Sequence, residues 1–576
     1  MTSNSLDRLL NLLEASRYRF GRHQAHRVVS LLKRLDAVPF SDPKSLIRFH
    51  EALLFLRAFP QGPAVLHATE RILKRIHRKM EALHEAGADI EEFDTFEFSG
   101  IAGTQMEDTL SFDVARWLLQ RLPGKVEIAW DNYEPGRELG TTGPRLIPLL
   151  EDDASVEADT PWRRWLEAAA GQTTGRNNVT ASWLVERFEQ LLFPARQKAE
   201  LYDSLRVPLR WNLENSAITR TRNWKPVRNV YYHDEPLISR SQVSLATEFA
   251  RRPPQLTRLS RKQGEQVMDL IREVMLVRYR ELYGTTLGDP ASVVRADVGR
   301  GVSIYLWNLP PNLRLPLRAY VAGLTLKNGV PINYIEAIGL CEWMEVGFNT
   351  FYTFRGGEAG WIYAQVLRSL CHLMGTTCVS VYPYQLGHDN EEAIESGAFW
   401  FYRKLGFRPG RADLRELVAR EEKKIAACGA GIPARPYRTP ARILKRLAAG
   451  HVFYDLPGTE VGAWDTFSTR NIGLRVSRRM AREFGGDAGR MREHSRRAME
   501  RSLGVNTSSW TPLEKAGFDN FAFVLAHSLE LPQWTGEEKD DLLRVIRAKG
   551  KPDEMLYLHL TQRHDRLRAA LLKMGS

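Results

Sequence analysis

The sequence predicts an α+β protein of several domains, in which a mixed sheet lies between mostly helical N- and C-terminal regions. Two changes of apolar spacing carry this prediction. Residues 1–85 and the chain beyond residue 411 repeat apolar side chains at helical spacing, whereas residues 302–324 repeat them at every second position, as β-strands do. The chain of 576 residues is longer than one hydrophobic core can serve, so we expect about two to four domains.

The chain is basic, with a net charge of +12 and a pI of about 9.4. Such a surface attracts anionic partners, among them nucleic acid, an anionic membrane face and a polyphosphate cofactor. A basic surface without a special partner is the other interpretation, and the charge alone leaves both open.

The cysteines and the apolar runs indicate a cytoplasmic protein. None of the four cysteines forms a C-x-x-C pair, and no histidine cluster accompanies them, which favours buried reduced thiols over disulfides or structural zinc. The first residues lack the pattern of a signal peptide, and no run of about 18 apolar residues predicts a membrane span. The cysteines are Cys341, Cys371, Cys378 and Cys428.

Residues 1–150 are predicted to form a mainly helical region. Its first helix contains residues 6–13, where leucines recur at helical spacing. Residues 112–122 continue this pattern, and residues 126–130 suit a strand. Residues 132–144 contain several turn-forming side chains and are predicted to be a loop.

Residues 151–260 are predicted to be a helical and irregular linking region. Its acidic start, residues 151–160, has no periodicity and is typical of a linker, whereas residues 161–203 have helical spacing. Residues 206–240 interleave arginines with tryptophans and tyrosines. This mixture can hold single-stranded nucleic acid, with phosphates on the arginines and bases on the rings, or it can anchor a loop into a neighbouring domain.

Residues 261–410 are predicted to contain the sheet. A helix is expected over residues 263–283, and an antiparallel meander of strands follows it. The dipeptide Asn328-Gly329 tolerates positive φ angles and predicts a tight hairpin. The last strand of this meander is expected at residues 342–348.

Residues 411–576 are predicted to be a basic helical region, interrupted at Gly485-Gly486. Its arginines can meet RNA, DNA or lipid headgroups, or they can form a solvated face that the neighbouring glutamates neutralise. The arginines concerned are Arg475, Arg478, Arg479, Arg482, Arg490, Arg492, Arg496, Arg497 and Arg501.

A glycine-rich turn at residues 355–360 follows the predicted meander and precedes a helix predicted over residues 361–373. The first N–H groups of a helix lack intrahelical partners and carry partial positive charge, so they bind phosphates readily. Glycine allows a close approach of the backbone, and Arg355 adds a charged donor. A short strand is predicted after the helix, at residues 377–382.

The turn and the helix end that follows it resemble the GCN5-related N-acetyltransferase (GNAT) superfamily over about residues 290–410. The family signature, Arg/Gln-x-x-Gly-x-Gly/Ala, corresponds to Arg355-Gly356-Gly357-Glu358-Ala359-Gly360. The family pattern Ala-x-x-Phe/Leu-Tyr-x-x-x-Gly-Phe is matched at the end of the segment by Ala398, Phe401, Tyr402, Gly406 and Phe407.

The resemblance implies an acyl-CoA site that uses acetyl-CoA or another acyl-CoA as co-substrate. It implies that the pyrophosphate is held by Arg355, Gly356, Gly357, Ala359 and Gly360. Glu358 stands where the signature has glycine, and its carboxylate would repel the pyrophosphate unless it is paired or points away.

The resemblance further implies that an amine attacks the thioester and that Tyr402 protonates the leaving thiolate. The base that accepts the amine proton is expected to be Glu342 or Glu345, on opposite faces of the strand before the turn, with Glu336 as a third candidate. The alternative interpretations are surface carboxylates for the glutamates and a packing role for Tyr402.

Three functions therefore remain open. The first is N-acyl transfer to an amine that the sequence does not identify. The second is a non-catalytic scaffold or binding protein with the same fold. The third is nucleic-acid binding through the basic C-terminal helices and residues 206–232.

Overall fold

The computed structural model describes residues 3–89, 91–134, 137–148, 161–171, 179–213, 218–429, 437–526 and 530–576. The chain divides into two compact units. Unit 1 comprises Met1–Pro236, Gln266–Thr286 and Asn328–Pro331, and unit 2 comprises Leu237–Glu265, Leu287–Lys327 and Ile332–Ser576. The predicted linker at residues 151–160 lies outside the described residues, and the predicted boundaries at residues 150, 260 and 410 stay predictions.

The helices of the described chain are, in order, α1 (Ser3–Ser16), α2 (Arg22–Asp36), α3 (Pro43–Ala58), α4 (Pro63–Leu73), α5 (Ile76–Glu85), α6 (Phe112–Arg121), α7 (Arg137–Leu146), α8 (Trp162–Ala169), α9 (Val179–Gln190), α10 (Ala195–Ser204), α11 (Leu245–Ala250), α12 (Arg261–Leu276), α13 (Tyr283–Thr286), α14 (Ala359–Met374), α15 (Pro383–Leu386), α16 (Glu391–Ser396), α17 (Ala398–Arg403), α18 (Ala412–Gly429), α19 (Ala441–Leu447), α20 (Thr469–Phe484), α21 (Ala488–Leu503), α22 (Pro512–Leu525), α23 (Gly536–Lys549), α24 (Glu554–Gln562) and α25 (Asp565–Gly575).

The strands are, in order, β1 (Gln105–Thr109), β2 (Val126–Ile128), β3 (Pro208–Asn212), β4 (Leu256–Arg258), β5 (Val294–Gly299), β6 (Val302–Asn308), β7 (Ala319–Lys327), β8 (Val330–Leu340), β9 (Trp343–Thr350), β10 (Cys378–Val381), β11 (Arg408–Pro409) and β12 (Val452–Asp455). The protein is therefore α+β, with a large mixed sheet flanked by helices, as predicted.

Unit 1 contains a small antiparallel sheet of order β1–β3–β2, with β3 in the centre. Its strand β2 packs on α9, and α9 packs on α6, so that Leu118, Phe188 and Trp211 lie in one buried cluster. The loop prediction for residues 132–144 is wrong, because α7 begins at Arg137. Gly140, Gly143 and Pro144 obscured this helix in the sequence. Gly143 is needed there because a Cβ atom would come within 2.4 Å of the Trp162 ring.

Unit 2 contains a sheet of order β11–β12–β10–β9–β8–β7–β6–β5–β4. Strands β4, β5, β6 and β7 pair antiparallel in sequence, and β8 pairs antiparallel with β9. Strand β10 is parallel to β9 and antiparallel to β12, which also pairs antiparallel with β11. The predicted meander is confirmed, and the parallel pair β9–β10 forms where α14 carries the chain from β9 back to β10.

The Asn328-Gly329 hairpin between β7 and β8 is confirmed. Both residues have positive φ angles, 48° and 82°, as a type I′ turn requires. The strand predicted at residues 342–348 is β9, which begins one residue later. Glu342 lies in the tight turn between β8 and β9, so the prediction that Glu342 and Glu345 occupy opposite faces of one strand is wrong.

The C-terminal region is mostly helical, as predicted, and Gly485 and Gly486 separate α20 from α21 with φ angles of 62° and 84°. It also contributes β12 to the large sheet, so the prediction that residues 261–410 contain the sheet is wrong for β12 and for β4. Cys341, Cys371 and Cys378 are buried and free, whereas the side chain of Cys428 lies outside the described residues. None of the helices within the described ranges is both long enough and apolar enough to cross a membrane.

Candidate functional site

The parallel pair β9–β10 opens after a short stretch of pairing. Its register joins Trp343 with Cys378 and ends at Glu345 with Ser380, so it covers three positions. Strand β9 then continues alone on this side through Val346–Thr350. Ligands of open sheets bind at the carboxyl ends of strands where the chain direction changes, and this end of β9 also leads into the glycine-rich turn.

The turn brings the backbone to the start of α14. Gly357 donates its N–H to the Phe354 carbonyl at 2.9 Å, and α14 begins at Ala359, with Glu358 as its N-cap residue. A Cβ atom at Gly360 would lie 3.2 Å from the Arg240 side chain. The glycine at the end of the predicted signature therefore permits a close approach by Arg240.

Glu358 points into the protein. Its side chain is fully buried and accepts hydrogen bonds from Arg300 Nε at 3.0 Å and from the Ile238 N–H at 3.2 Å, while Lys327 Nζ lies 3.3 Å from Oε2. Burial alone would raise the pKa of Glu358, but the Arg300 hydrogen bond and the Lys327 charge outweigh it and hold the pKa below its usual value. The carboxylate is thus paired and does not repel an anion at the turn.

Lys327 shares this cluster at the end of β7. Its side chain is fully buried and also donates to the Arg300 carbonyl oxygen. Burial lowers the pKa of Lys327 to about 8, although the neighbouring Glu358 carboxylate favours its charged form. Arg300 and Lys327 therefore compensate the charge of Glu358 next to the start of α14.

Arg355 is already paired. Its guanidinium forms an ion pair with Glu392 and lies 5.6 Å from the centre of the Tyr352 ring. Both charged side chains are about 40% exposed, at 41% and 44%. The residue that the resemblance assigns to the pyrophosphate thus has its charge compensated at the surface.

Arg240 and Lys404 supply positive charge near the start of α14. Arg240 donates from Nη1 to the Trp400 carbonyl at 3.2 Å. Burial lowers the pKa of Arg240, and burial together with the Arg240 charge lowers the pKa of Lys404. Within the described part of the chain, neither side chain forms an ion pair with a carboxylate. Arg240 ends the basic and aromatic stretch of residues 206–240, and the sequence did not connect it with the glycine-rich turn because it lies outside residues 261–410.

Tyr402 belongs to a buried aromatic cluster beside the unpaired part of β9. Its ring lies 5.6 Å from Tyr363 and 5.7 Å from Phe407, and Tyr363 lies 4.8 Å from Phe348 of β9. Burial raises the pKa of Tyr402, so its hydroxyl stays protonated at neutral pH. Rings from β9, α14 and α17 therefore occupy the region into which β9 and β10 open.

Glu345 lies on the other face of β9 and contacts a histidine. The separation between its Oε2 and His451 Nε2 is 3.0 Å, and Arg318 Nη1 lies 3.8 Å from Oε1. The His451 ring packs edge-on against Tyr382 at 5.3 Å. His451 directly precedes β12, which places it next to the end of β10. No local pattern could identify it, because 106 residues separate it from Glu345.

Glu342 lies at the opposite end of β9. It accepts hydrogen bonds from Trp464 Nε1 and Arg568 Nε, both at 2.7 Å, and borders a cavity of about 280 Å³ together with Glu460 and Asp565. Glu336, the third predicted base, accepts a hydrogen bond from the Tyr320 hydroxyl. The structure therefore brings Glu345 to the opening of the parallel pair and keeps Glu342 away from it.

The described ranges hold no group of three or more histidine, cysteine, aspartate or glutamate side chains suited to a metal ion. The comparisons with protein-family models, curated proteins and solved structures returned no match to this chain.

Proposed function

We propose that unit 2 is an acyl-CoA-dependent N-acyltransferase, which transfers an acyl group from acetyl-CoA or another acyl-CoA to an amine. The observation that carries the proposal is the opening of the parallel pair β9–β10 beside the start of α14. An extended chain would lie along the unpaired part of β9 once the aromatic cluster around Tyr402 moves aside, and the start of α14 would hold phosphate groups at its end.

The phosphate end of the ligand would meet the first N–H groups of α14 and the side chains of Arg240 and Lys404. These two cations have no carboxylate partner within the described residues, so an anion could bind them without breaking an ion pair. Gly356 is exposed and Gly357 is half-buried, which leaves their backbone accessible. Arg355 plays a smaller part in this proposal because Glu392 already compensates its charge.

The reaction would join the amine nitrogen to the thioester carbonyl carbon and break the bond from that carbon to sulfur. Glu345, in contact with His451, would accept the amine proton on one face of β9. Backbone N–H groups of the unpaired part of β9 would stabilise the oxygen that becomes negative. Tyr402, on the other face, would return a proton to the CoA thiolate once the aromatic cluster admits the thioester.

Titration calorimetry with acetyl-CoA tests the proposal. Enzymes commonly bind substrates between about 1 μM and 1 mM, and we expect acetyl-CoA to bind in this range. Absence of binding at millimolar concentration would contradict the proposal. Release of CoA thiol in the presence of a panel of primary amines then tests the transfer itself.

A non-catalytic scaffold with the same fold is the second candidate. It is favoured by the aromatic cluster around Tyr402 and by the contact of Arg240 with Gly360, because both fill space that the co-substrate would need. This candidate predicts no bound CoA in the purified protein and no thiol release with any amine.

A further inference from the structure

Helix α20 carries an arginine stripe, which we define as Arg470, Arg475, Arg478 and Arg482 together with Leu474. Arg470, Leu474, Arg478 and Arg482 recur at every fourth position and therefore lie along one side of the helix, with Arg475 beside them. All five side chains are exposed, Leu474 to 46% and Arg482 to 75%. The stripe is about 18 Å long at the rise of an α-helix.

Little negative charge opposes this stripe. Residues 469–503 contain ten arginines and four acidic residues, so their net charge of +6 is half of the +12 of the whole chain. Arg482 pairs with Glu483, and Arg475 donates to the Ser576 carbonyl. Arg470 and Arg478 form no ion pair with a carboxylate anywhere in the described ranges.

The nearby helix α21 shows what a neutralised arginine surface looks like in this protein. Arg496 and Arg492 reach the buried Asp519, and Arg497 pairs with Glu493 one turn away. These contacts explain part of the predicted basic region as ordinary ion pairs. Helix α20 carries the larger share of the remaining charge, with five arginines against one glutamate, although Arg490 and Arg501 of α21 also form no ion pair within the described residues.

Two exposed tyrosines continue the stripe at one end. Arg470 Nη2 donates to the Tyr382 hydroxyl at 3.3 Å, and Tyr384 follows two residues later. The two side chains are 39% and 50% exposed, although tyrosine rings usually bury their apolar faces. A row of cations that ends at exposed aromatic rings is a combination that single-stranded nucleic acids bind, with phosphates on the cations and bases on the rings.

We propose that the arginine stripe and Tyr382–Tyr384 form a binding surface for single-stranded nucleic acid. Arg470, Arg475 and Arg478 offer phosphate contacts without breaking an ion pair of the described residues, and Arg482 offers a fourth because its partner Glu483 also pairs with Arg479. Leu474 provides an apolar contact between them, and the tyrosines stack the bases at one end. Tyr382 packs against His451, so the bound strand would end beside the Glu345–His451 pair. The inference does not rest on the acyl transfer proposed above.

The test uses the full chain and fluorescently labelled 20-nucleotide RNA and DNA single strands, with anisotropy measured across a series of salt concentrations. Four phosphate contacts on a single strand predict that log K falls with log salt at a slope of about −3, and each arginine-to-alanine change should reduce this slope by about 0.7. Loss of one stacking ring costs about 1–3 kcal/mol, or roughly 5- to 150-fold in affinity, so Tyr384→Ala should weaken binding and Tyr384→Phe should not.

The matched control is Arg258→Ala, on the exposed edge strand β4, because Arg258 forms no ion pair within the described residues and lies six strands from β10 in the sheet order. Circular dichroism of each variant confirms that the helices are retained. No binding at low salt, a flat salt response, or equal losses in Arg478→Ala and Arg258→Ala would overturn the proposal. Tighter binding to a duplex, or binding to anionic vesicles but not to nucleic acid, would overturn the assignment to single strands.

Discussion

The Glu345 carboxylate lies 3.0 Å from the His451 ring, although β9 and the start of β12 contribute the two residues from separate parts of the chain. Insertion of β12 beside β10 brings the histidine to the end of the parallel pair, where Tyr382 holds one edge of its ring. The pair joins a carboxylate to an imidazole, a combination suited to moving a proton.

Glu345→Gln should lower the rate of acyl transfer about 10²- to 10⁴-fold, since general base catalysis contributes this much. The affinity for acetyl-CoA should change little, because the proposed phosphate contacts lie elsewhere. Glu342→Gln is the matched control, as it removes a carboxylate of the same strand region that faces Trp464 and Arg568. Thiol-release kinetics and calorimetry measure both quantities, and similar losses in the two variants would contradict the role of Glu345.

Arg240→Ala and Lys404→Ala should each weaken acetyl-CoA binding. A hydrogen bond to a charged group contributes about 1.5–3 kcal/mol, which corresponds to roughly 10- to 150-fold in Kd. Arg355→Ala should have a much smaller effect, because Glu392 already compensates that charge. Calorimetry, with Arg258→Ala as the control, decides whether Arg240 and Lys404 or Arg355 hold the phosphate groups. A loss of acetyl-CoA affinity confined to Arg355→Ala would contradict the role of Arg240 and Lys404 and support the role that the resemblance assigns to Arg355.

Tyr402→Phe should slow acyl transfer more than it weakens acetyl-CoA binding, because it removes only the proposed proton donor. Tyr363→Phe provides the control within the same aromatic cluster. The Tyr363 hydroxyl is buried without a hydrogen-bond partner in the described residues, so its removal should leave stability unchanged or improve it. Equal turnover in both variants would favour the non-catalytic scaffold.

Stability should depend on pH through Lys327. Its pKa is about 8 in the folded protein, lowered by burial, and about 10.4 in an unfolded chain. Between these two pKa values the unfolded state binds more protons than the folded state. The contribution of Lys327 to the free energy of unfolding therefore increases as the pH rises from about 8 to about 10.4, and it decreases when the pH is lowered through the same window. Denaturant titrations of the native protein and of Lys327→Met at pH 7.5, 8.5 and 9.5 measure the difference. A difference that is constant with pH would show that Lys327 does not titrate in this window.

Local sequence patterns predicted most of the large sheet and the helices around it. The Asn328-Gly329 turn, the helix after the glycine-rich turn and the strand at residues 377–382 all depend on near neighbours, so periodicity and turn chemistry were sufficient. The loop prediction for residues 132–144 was wrong because their glycines and proline favour loops, whereas the close packing of Trp162 on Gly143 suits a helix there.

The candidate site was less predictable, because its decisive contacts join distant parts of the chain. The sequence pointed to Glu345 as a candidate base but not to its contact with His451. It also indicated a repulsive carboxylate at Glu358, because the contacts of Glu358 with Arg300 and Lys327 are not evident before the chain is folded. It also selected Arg355, whose partner Glu392 becomes evident only when α16 is folded beside the turn.

The short register of β9 with β10 has a consequence for amide hydrogen exchange. Backbone groups of Trp343–Glu345 lie between two strands, whereas Val346–Thr350 have a strand partner on the β8 side and no register with β10. Deuterium should therefore enter the second half of β9 sooner than the first half, even though both halves belong to the same strand. A ligand bound between β9 and β10 would slow exchange in Val346–Thr350 and leave Trp343–Glu345 unchanged. Exchange of these residues therefore measures occupancy of the site before any acceptor amine is known.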